Sequence, residues 1–400
     1  MKKLVFLLFI LCAGTVLFSQ GQGQYKNLNI QVNGLLRQYR LYVPPGHNGT
    51  EAWPLVFVFH GAGVSLDWQV NISQMYLVAD TAKFLVAYPL GRAVKDTLLN
   101  TYSGWLLPGY QPVGAPYDDV AFVSQMIDDV DAKPEYSVDR SRVFATGWSN
   151  GSELAFYLAC ELSDKIAAFA GVAGPLSNVA MAACTPSRKT SVLYIQGTSD
   201  IYVPSNGDAF YPPITDLPEF WANYDNCGII PDSTDLPNSA TNDNSTVTLF
   251  DYPDCDEDHE VLFYRINGGG HNWPGGWLPP NFPQLLPINM DIHASVEIWD
   301  FFKRHKHPDI ASTVENFNLD TKLHVFPNPT SDYLTIRLPN NLTPTNQNNI
   351  AIFDPAGRAC LKATLNANET RINIGQLPPG LYFLELQRKE GRYWQKITVQ

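Results

Sequence analysis

The pentapeptide Gly147-Trp148-Ser149-Asn150-Gly151 stands between a strand-like run, Arg142-Val143-Phe144-Ala145-Thr146, and a helical run from Glu153 to Ala159. A strand that becomes a helix over so few residues forces its central serine into strained backbone geometry. Glycine two places away on either side removes the side chains that would clash there. The serine then stands exposed above a sheet edge, and the Asn150 amide lies at a helix N-terminus, where the dipole favours negative charge. Three fixed positions recur by chance in roughly one chain in seven of this length. A plain Gly/Ser turn ahead of a helix uses the same residues, so the rest of the chain has to carry the reading.

Strand-like runs recur at Leu35 to Val43, Leu55 to Phe59, Phe84 to Tyr88, Val143 to Thr146, Val192 to Ile195 and Val261 to Ile266, with helical patterns between several of them. That alternation predicts an α/β fold with a mostly parallel sheet flanked by helices. One helix is capped by Asp118 or Asp119 and carries Val120, Val123, Ile127 and Val130 on one face before Pro134. Another runs from Asp291 to about Lys306, with Ile292, Val296, Trp299 and Phe302 inward. From Leu323 the pattern changes to short alternating strands, Leu334 to Leu338, Ile350 to Phe353, Thr370 to Ile374 and Leu381 to Leu386, which predicts a small β-sandwich. The expected organisation is a signal peptide over 1–19, a large domain over 25–307, a linker over 308–321 and a C-terminal β-sandwich domain over 322–400.

Met1 to Ser19 has a basic start at Lys2 and Lys3 and an apolar stretch, Leu4 to Leu11, which reads as a secretory leader cleaved near Gln20. No other apolar stretch reaches the length of a membrane span. The formal net charge is −12, and losing the two leader lysines makes it −12 − 2 = −14. Nucleic acid and anionic membrane are thereby disfavoured as partners, and uncharged or weakly charged substrates fit better. Export permits disulfides. Cys160 with Cys184 and Cys227 with Cys255 each bracket one compact excursion and are the expected pairs; two other pairings of the four, and free thiols, remain open. Cys360 is left alone in the tail.

An activated serine needs a base to take its proton and an acid to hold that base in the right tautomer. The order serine, acid, histidine, each just past a strand, is met here. Ser191 to Ile195 runs into Gln196-Gly197-Thr198-Ser199-Asp200, and Val261 to Ile266 into Asn267-Gly268-Gly269-Gly270-His271. Asp216 and Asp225 follow no apolar strand, and Asp251 lies in an acidic, turn-rich run. Ser149, Asp200 and His271 are therefore the candidate catalytic residues. The oxyanion hole is assigned to the amides of Asn150 and Ala62, the latter in the His60-Gly61-Ala62-Gly63 turn after Leu55 to Phe59, with His60 bracing that loop.

Trp273 and Trp148 are candidate substrate-binding residues because they adjoin catalytic positions; Trp105 and Trp277 follow behind them. Core packing is the competing fate of each. The acidic residues Asp251, Asp254, Asp256, Glu257 and Asp258 lack the spaced calcium-loop pattern and read as a solvated hairpin tip, and no zinc spacing is present. No cofactor or metal is expected.

At these residues a family resemblance enters. Val138-Asp139-Arg140 leading through Arg142-Val143 to the elbow, Gly197-Thr198-Ser199-Asp200 with Val203-Pro204, and Gly268-Gly269-Gly270-His271-Asn272-Trp273-Pro274-Gly275-Gly276 resemble the secreted α/β-hydrolases related to polyhydroxybutyrate depolymerases and to the feruloyl and acetylxylan esterases of carbohydrate esterase family one. The resemblance spans roughly 34–305. It implies Ser149 as nucleophile, His271 as base and Asp200 as orienting acid, and members are commonly disulfide-bonded. Two departures, Ala62 where many members have cysteine and Ser152 where many have glycine, bear on the pocket more than on the chemistry.

In the tail, Phe326-Pro327-Asn328-Pro329, Ile352-Phe353-Asp354-Pro355-Ala356-Gly357-Arg358, Leu377-Pro378-Pro379-Gly380-Leu381-Tyr382 and Lys396-Ile397-Thr398-Val399 are similar to the C-terminal sorting domain of type IX secretion substrates. That resemblance implies passage to the cell surface or medium, with the secretion machinery as partner. Together the two resemblances imply a secreted serine esterase acting on feruloyl or acetyl esters of plant cell-wall polysaccharide. A polyhydroxyalkanoate depolymerase-like esterase, a catalytically lapsed surface carbohydrate-binding protein and a serine peptidase are the alternatives.

Overall fold

The first 22 residues lie outside what the computed structural model describes; it covers residues 23–96, 100–277, 287–308, 310, 324–337, 349–354, 358–364, 367–388 and 391–400. The expected leader, most of the expected linker and the Pro355-Ala356-Gly357 part of the tail motif fall outside those residues. The chain divides into two compact units, Met1–Val314 and Glu315–Gln400.

In the first unit a hairpin of β1 (Gln24–Val32) and β2 (Leu35–Val43) turns through Asn33 and Gly34, both at positive φ, as a tight two-residue connection requires. After it come β3 (Trp53–Phe59), α1 (Leu66–Ser73), α2 (Met75–Ala82) and β4 (Leu85–Pro89). A small antiparallel sheet of β5 (Arg92–Lys95), β6 (Thr101–Gly104) and β7 (Gln111–Pro112) precedes α3 (Asp119–Asp131). The chain continues through β8 (Val138–Gly147), α4 (Asn150–Glu161), β9 (Ala168–Val172), α5 (Asn178–Ala183), β10 (Ser191–Gly197) and α6 (Asp216–Tyr224). It closes with β11 (Asp232–Asp235), β12 (Thr246–Tyr252), a 3-10 turn at Asp256–Asp258, β13 (Val261–Asn267) and α7 (Ala294–Phe302).

The large sheet runs in the order β1-β2-β4-β3-β8-β9-β10-β13-β12-β11. Its centre, β4 to β13, is parallel, and antiparallel strands flank it on both sides. Burial on both faces explains why β3, β4 and β10 are buried at every position. One face packs Phe57, Phe59, Phe122, Ile127, Leu154 and Tyr194; the other packs Val56, Val86, Phe144, Ile195, Ile298 and Phe302. Strand order reverses between β3 and β8, so the crevice beyond their carboxyl ends is where an open α/β sheet of this kind presents its site.

Three local findings refine the sequence reading. Asp118 caps α3 by accepting from the Ala121 amide at 2.8 Å, whereas Asp119 is buried and accepts from the Arg37 guanidinium at 2.6 Å and the Leu106 amide at 2.7 Å. Helix α7 is shorter than expected, and it buries Ser295, Ile298, Phe301 and Phe302 while Val296 is exposed, so the face on the core is turned from the one expected. The Cys160–Cys184 and Cys227–Cys255 disulfides are both formed, and Cys360 is a free thiol.

The second unit pairs β14 (His324–Phe326), β15 (Tyr333–Arg337) and β18 (Glu369–Asn373) in one antiparallel sheet. Its other sheet holds β17 (Ala359–Thr364), β16 (Asn349–Phe353), β19 (Gly380–Arg388) and β20 (Gly391–Val399). Leu334 and Ile336 from the first sheet and Ile350, Ile352, Leu384 and Ile397 from the second share one core. No described helix is long and apolar enough to cross a membrane.

Candidate active site

Ser149 has φ 56° and ψ −126°, a conformation a non-glycine residue adopts only when its surroundings hold it there. Those surroundings are visible: the Trp148 amide donates to the Phe59 carbonyl at 3.1 Å and the Ser149 amide to the Val172 carbonyl at 2.9 Å, so β3 and β9 grip the turn from both sides. A Cβ on Gly147 would lie 2.3 Å from the Gly151 carbonyl oxygen, and one on Gly151 would lie 2.3 Å from that of Phe59. Both glycines are thus required by backbone approach.

The Ser149 Oγ lies 2.9 Å from His271 Nε2, and His271 Nδ1 lies 2.7 Å from Asp200 Oδ2. The three residues, 122 and 71 positions apart along the chain, come from loops at the carboxyl ends of β8, β10 and β13. A carboxylate only accepts, so Nδ1 carries the imidazole proton and Nε2 presents its lone pair to the serine hydroxyl. Asp200 is itself fixed by four contacts. Oδ2 also accepts from Gln196 Nε2 at 2.8 Å, and Oδ1 accepts from the Tyr202 and Val203 amides at 2.8 and 3.0 Å. Gln196 in turn accepts from the Tyr194 hydroxyl at 2.8 Å. The sequence reading missed Gln196; a glutamine two places after Tyr194 on an otherwise apolar strand was the available signal.

The turn after β3 approaches the nucleophile so closely that a Cβ on Gly61 would lie 3.2 Å from the Ser149 Cβ. Among the described residues neither the Ala62 nor the Asn150 amide is engaged by a carbonyl. His60 is buried and neutral: burial lowers its pKa, Nδ1 donates to the Gly61 carbonyl at 2.8 Å, and Nε2 accepts from the Gly91 amide at 2.9 Å. Both nitrogens are occupied, which fits the bracing role and leaves no lone pair for a base.

Two further residues complete this brace and were also missed. The Trp105 amide donates to Asn150 Oδ1 and its indole Nε1 to the His60 carbonyl, each at 2.8 Å, tying α4 to the turn after β3. One helical turn after the serine, the buried carboxyl of Glu153 accepts from the Tyr211 hydroxyl at 2.7 Å and the Tyr110 hydroxyl at 3.1 Å. Burial raises its pKa to about 7, against the hydrogen bonds that lower it.

The two tryptophans expected to touch substrate do not face solvent. Trp273 is 1% exposed in the core between the sheet and α7, with its indole N–H donating to the Ser295 hydroxyl at 3.1 Å. Trp148 is 5% exposed, lying under Gly61 and against the His271 ring. Trp105 is fully buried, while Trp277 is exposed. The acidic run is exposed around the 3-10 turn, where Asp256 pairs with Lys189 and accepts from Asn226. Among the described residues no three acidic, histidine or cysteine side chains are grouped as a metal site would need.

A strained serine between β8 and α4, an imidazole within hydrogen-bond reach and a buried carboxylate behind it, on this strand order, have the arrangement of a nucleophile, base and orienting acid on an α/β-hydrolase-like sheet. Residues 37–194 match the family described as Esterase PHB depolymerase, and residues 324–400 match the Secretion system C-terminal sorting domain. The first unit is thus similar to that esterase family over less than half of the chain, and the second is similar to a secretion sorting domain.

Among curated relatives, a bifunctional acetylxylan esterase/xylanase of Neocallimastix patriciarum is 26% identical over 269 residues, which cover 67% of this chain and 33% of that protein. Feruloyl esterase B of Piromyces equi is 29% identical over 246 residues, covering 57% of this chain and 41% of its own. The match therefore spans well under half the length of either relative. Among solved structures, an acetyl xylan esterase from Aspergillus awamori is 15% identical, with a TM-score of 0.46, over 70% of this chain and 99% of that one.

Proposed function

We propose that the protein is a secreted serine esterase that hydrolyses carboxylic esters, with feruloyl or acetyl groups on plant cell-wall polysaccharide as its substrates. The observation that carries this reading is the unbroken hydrogen-bond chain from Ser149 through His271 to Asp200. In this reading Ser149 Oγ attacks the ester carbonyl as its proton passes to His271 Nε2. The amides of Ala62 and Asn150 receive the oxyanion, the latter at the N-terminus of α4. His271 then gives the proton to the departing alcohol, and a water activated by the same imidazole releases the acid from Ser149. Asp200 accepts from Nδ1 throughout and stabilises the imidazolium.

The choice of acyl group and of a polysaccharide rests on the names of the relatives, an acetylxylan esterase/xylanase and a feruloyl esterase. The family match over 37–194 favours a second reading, a hydroxyalkanoate ester as substrate. Steady-state kcat/KM on methyl ferulate, acetylated xylan and short hydroxybutyrate oligomers separates the readings, with Ser149→Ala as control. A preference for the hydroxybutyrate oligomers moves the substrate to the second reading, and turnover of none of the three by the wild type overturns the esterase assignment.

A further inference from the structure

His271 sits between two aromatic rings of opposite exposure. On one side is the buried Trp148 ring at 5.2 Å between centroids; on the other is Tyr202, edge-on at 5.0 Å and 53% exposed. Its neighbour Ile201 is 65% exposed. Scattered exposed apolar residues are ordinary, but this pair is fixed to the triad itself. The Tyr202 and Val203 amides hold Asp200 Oδ1, the Ser199 amide donates to the Gly269 carbonyl at 2.8 Å, and the Ser205 hydroxyl donates to the Thr198 carbonyl at 2.7 Å. With Trp148, Trp273 and Trp105 all buried, Tyr202 is the exposed aromatic that touches a triad residue among the described residues.

Reaction geometry says which half of an ester meets such a shelf. The carbonyl oxygen turns toward the Ala62 and Asn150 amides. The alcohol oxygen must lie against His271 Nε2, because that nitrogen returns to it the proton taken from Ser149 as the bond from carbonyl carbon to alcohol oxygen breaks. We propose that Ile201 and Tyr202 form the leaving-group subsite and select esters whose alcohol is a neutral sugar ring of a polysaccharide. The C–H face of a sugar packs on a tyrosine ring and an isoleucine side chain, and the Tyr202 hydroxyl, which has no partner among the described residues, is available to the hydroxyls at the ring's rim. The formal charge of −12 favours a neutral sugar over a uronate. The proposal rests on the esterase reading and assigns its substrate's alcohol.

The test uses the full chain and ester pairs that share an acyl group and differ in alcohol: methyl ferulate against a feruloylated arabinoxylo-oligosaccharide, and ethyl acetate against an acetylated xylo-oligosaccharide. The quantity read is the ratio of kcat/KM for the sugar ester to that for the simple ester. In Tyr202→Ala this ratio falls about tenfold, as expected for loss of one well-packed contact, mainly through KM. Tyr202→Phe keeps the ratio within about twofold. Ile201→Ser, which keeps the Tyr202 and Val203 amides that hold Asp200, lowers it about threefold. An unchanged ratio in both Tyr202→Ala and Ile201→Ser overturns the subsite, as does an equal loss on both esters of a pair. Absence of turnover of all four esters by the wild type overturns the esterase reading, and the subsite with it.

Discussion

Gln196 Nε2 donates to the same Asp200 oxygen that receives His271 Nδ1, at 2.8 and 2.7 Å respectively. The carboxylate therefore cannot rotate away from the imidazole without giving up a buried charged hydrogen bond, worth roughly 1.5–3 kcal/mol. Replacing Gln196 with leucine removes that donor and leaves the Tyr194 hydroxyl without its acceptor. We expect kcat to fall about tenfold, equivalent to about 1.4 kcal/mol, with KM within about twofold. A KM-dominated loss would mean that Gln196 shapes the pocket instead.

Trp105 bridges the two elements that carry the proposed oxyanion donors, through Asn150 Oδ1 on one side and the His60 carbonyl on the other. Trp105→Phe keeps an aromatic ring and the backbone amide but loses the indole donor. The expected outcome is a kcat lower by about tenfold to a hundredfold and a nearly unchanged KM, the pattern of a contact felt in the transition state. Steady-state kinetics on a chromogenic acetate ester, normalised to the titrated active fraction, read this loss, and a lowered thermal midpoint would instead assign it to a fold defect.

Glu153 makes stability depend on pH. Its folded pKa is raised to about 7 by burial, from 4.5 for the free side chain. Below about pH 4.5 the carboxyl is neutral in both states and costs nothing. Between 4.5 and 7 the unfolded chain releases a proton that the folded chain retains, so stability falls as pH rises through this window and levels off above it. The span corresponds to a penalty on the order of 3 kcal/mol. Glu153→Gln removes the titration, and denaturant unfolding across pH 4.5 to 8 should show a shallower decline than the wild type. Parallel profiles would assign the decline to other groups, Asp225 first among them, since burial raises its pKa to about 7 as well.

The hydrogen-bonded set of candidates Ser149, His271 and Asp200 was legible in the sequence because each follows closely on an apolar strand, which puts them at one rim of the sheet. What supports them was not. Trp105 meets Asn150 and His60 across 45 residues each, and such contacts depend on how the 104–110 loop folds back, which local pattern does not encode. Trp273 and Trp148 adjoin catalytic residues in sequence, yet both are buried, Trp273 against Ser295 and Trp148 beneath Gly61. Strand β1 escaped notice because its Gln24–Val32 run is mostly polar and exposed at the sheet edge, although Asn33-Gly34 was a hairpin signal in plain view. Tyr202 and Ile201 carried no signal, since their exposure follows from Asp200 anchoring the turn by its Oδ1.

The most direct measurement is covalent: the full chain is treated with a fluorophosphonate, weighed intact by mass spectrometry and mapped by peptide. An activated Ser149 forms one stoichiometric phosphonyl adduct, fluoride leaves, and turnover of a chromogenic acetate ester disappears in proportion to labelling; Ser149→Ala takes up no adduct and has no turnover while keeping the wild-type unfolding transition. An adduct on a different residue, or a Ser149→Ala variant that still hydrolyses the ester, would contradict the serine mechanism.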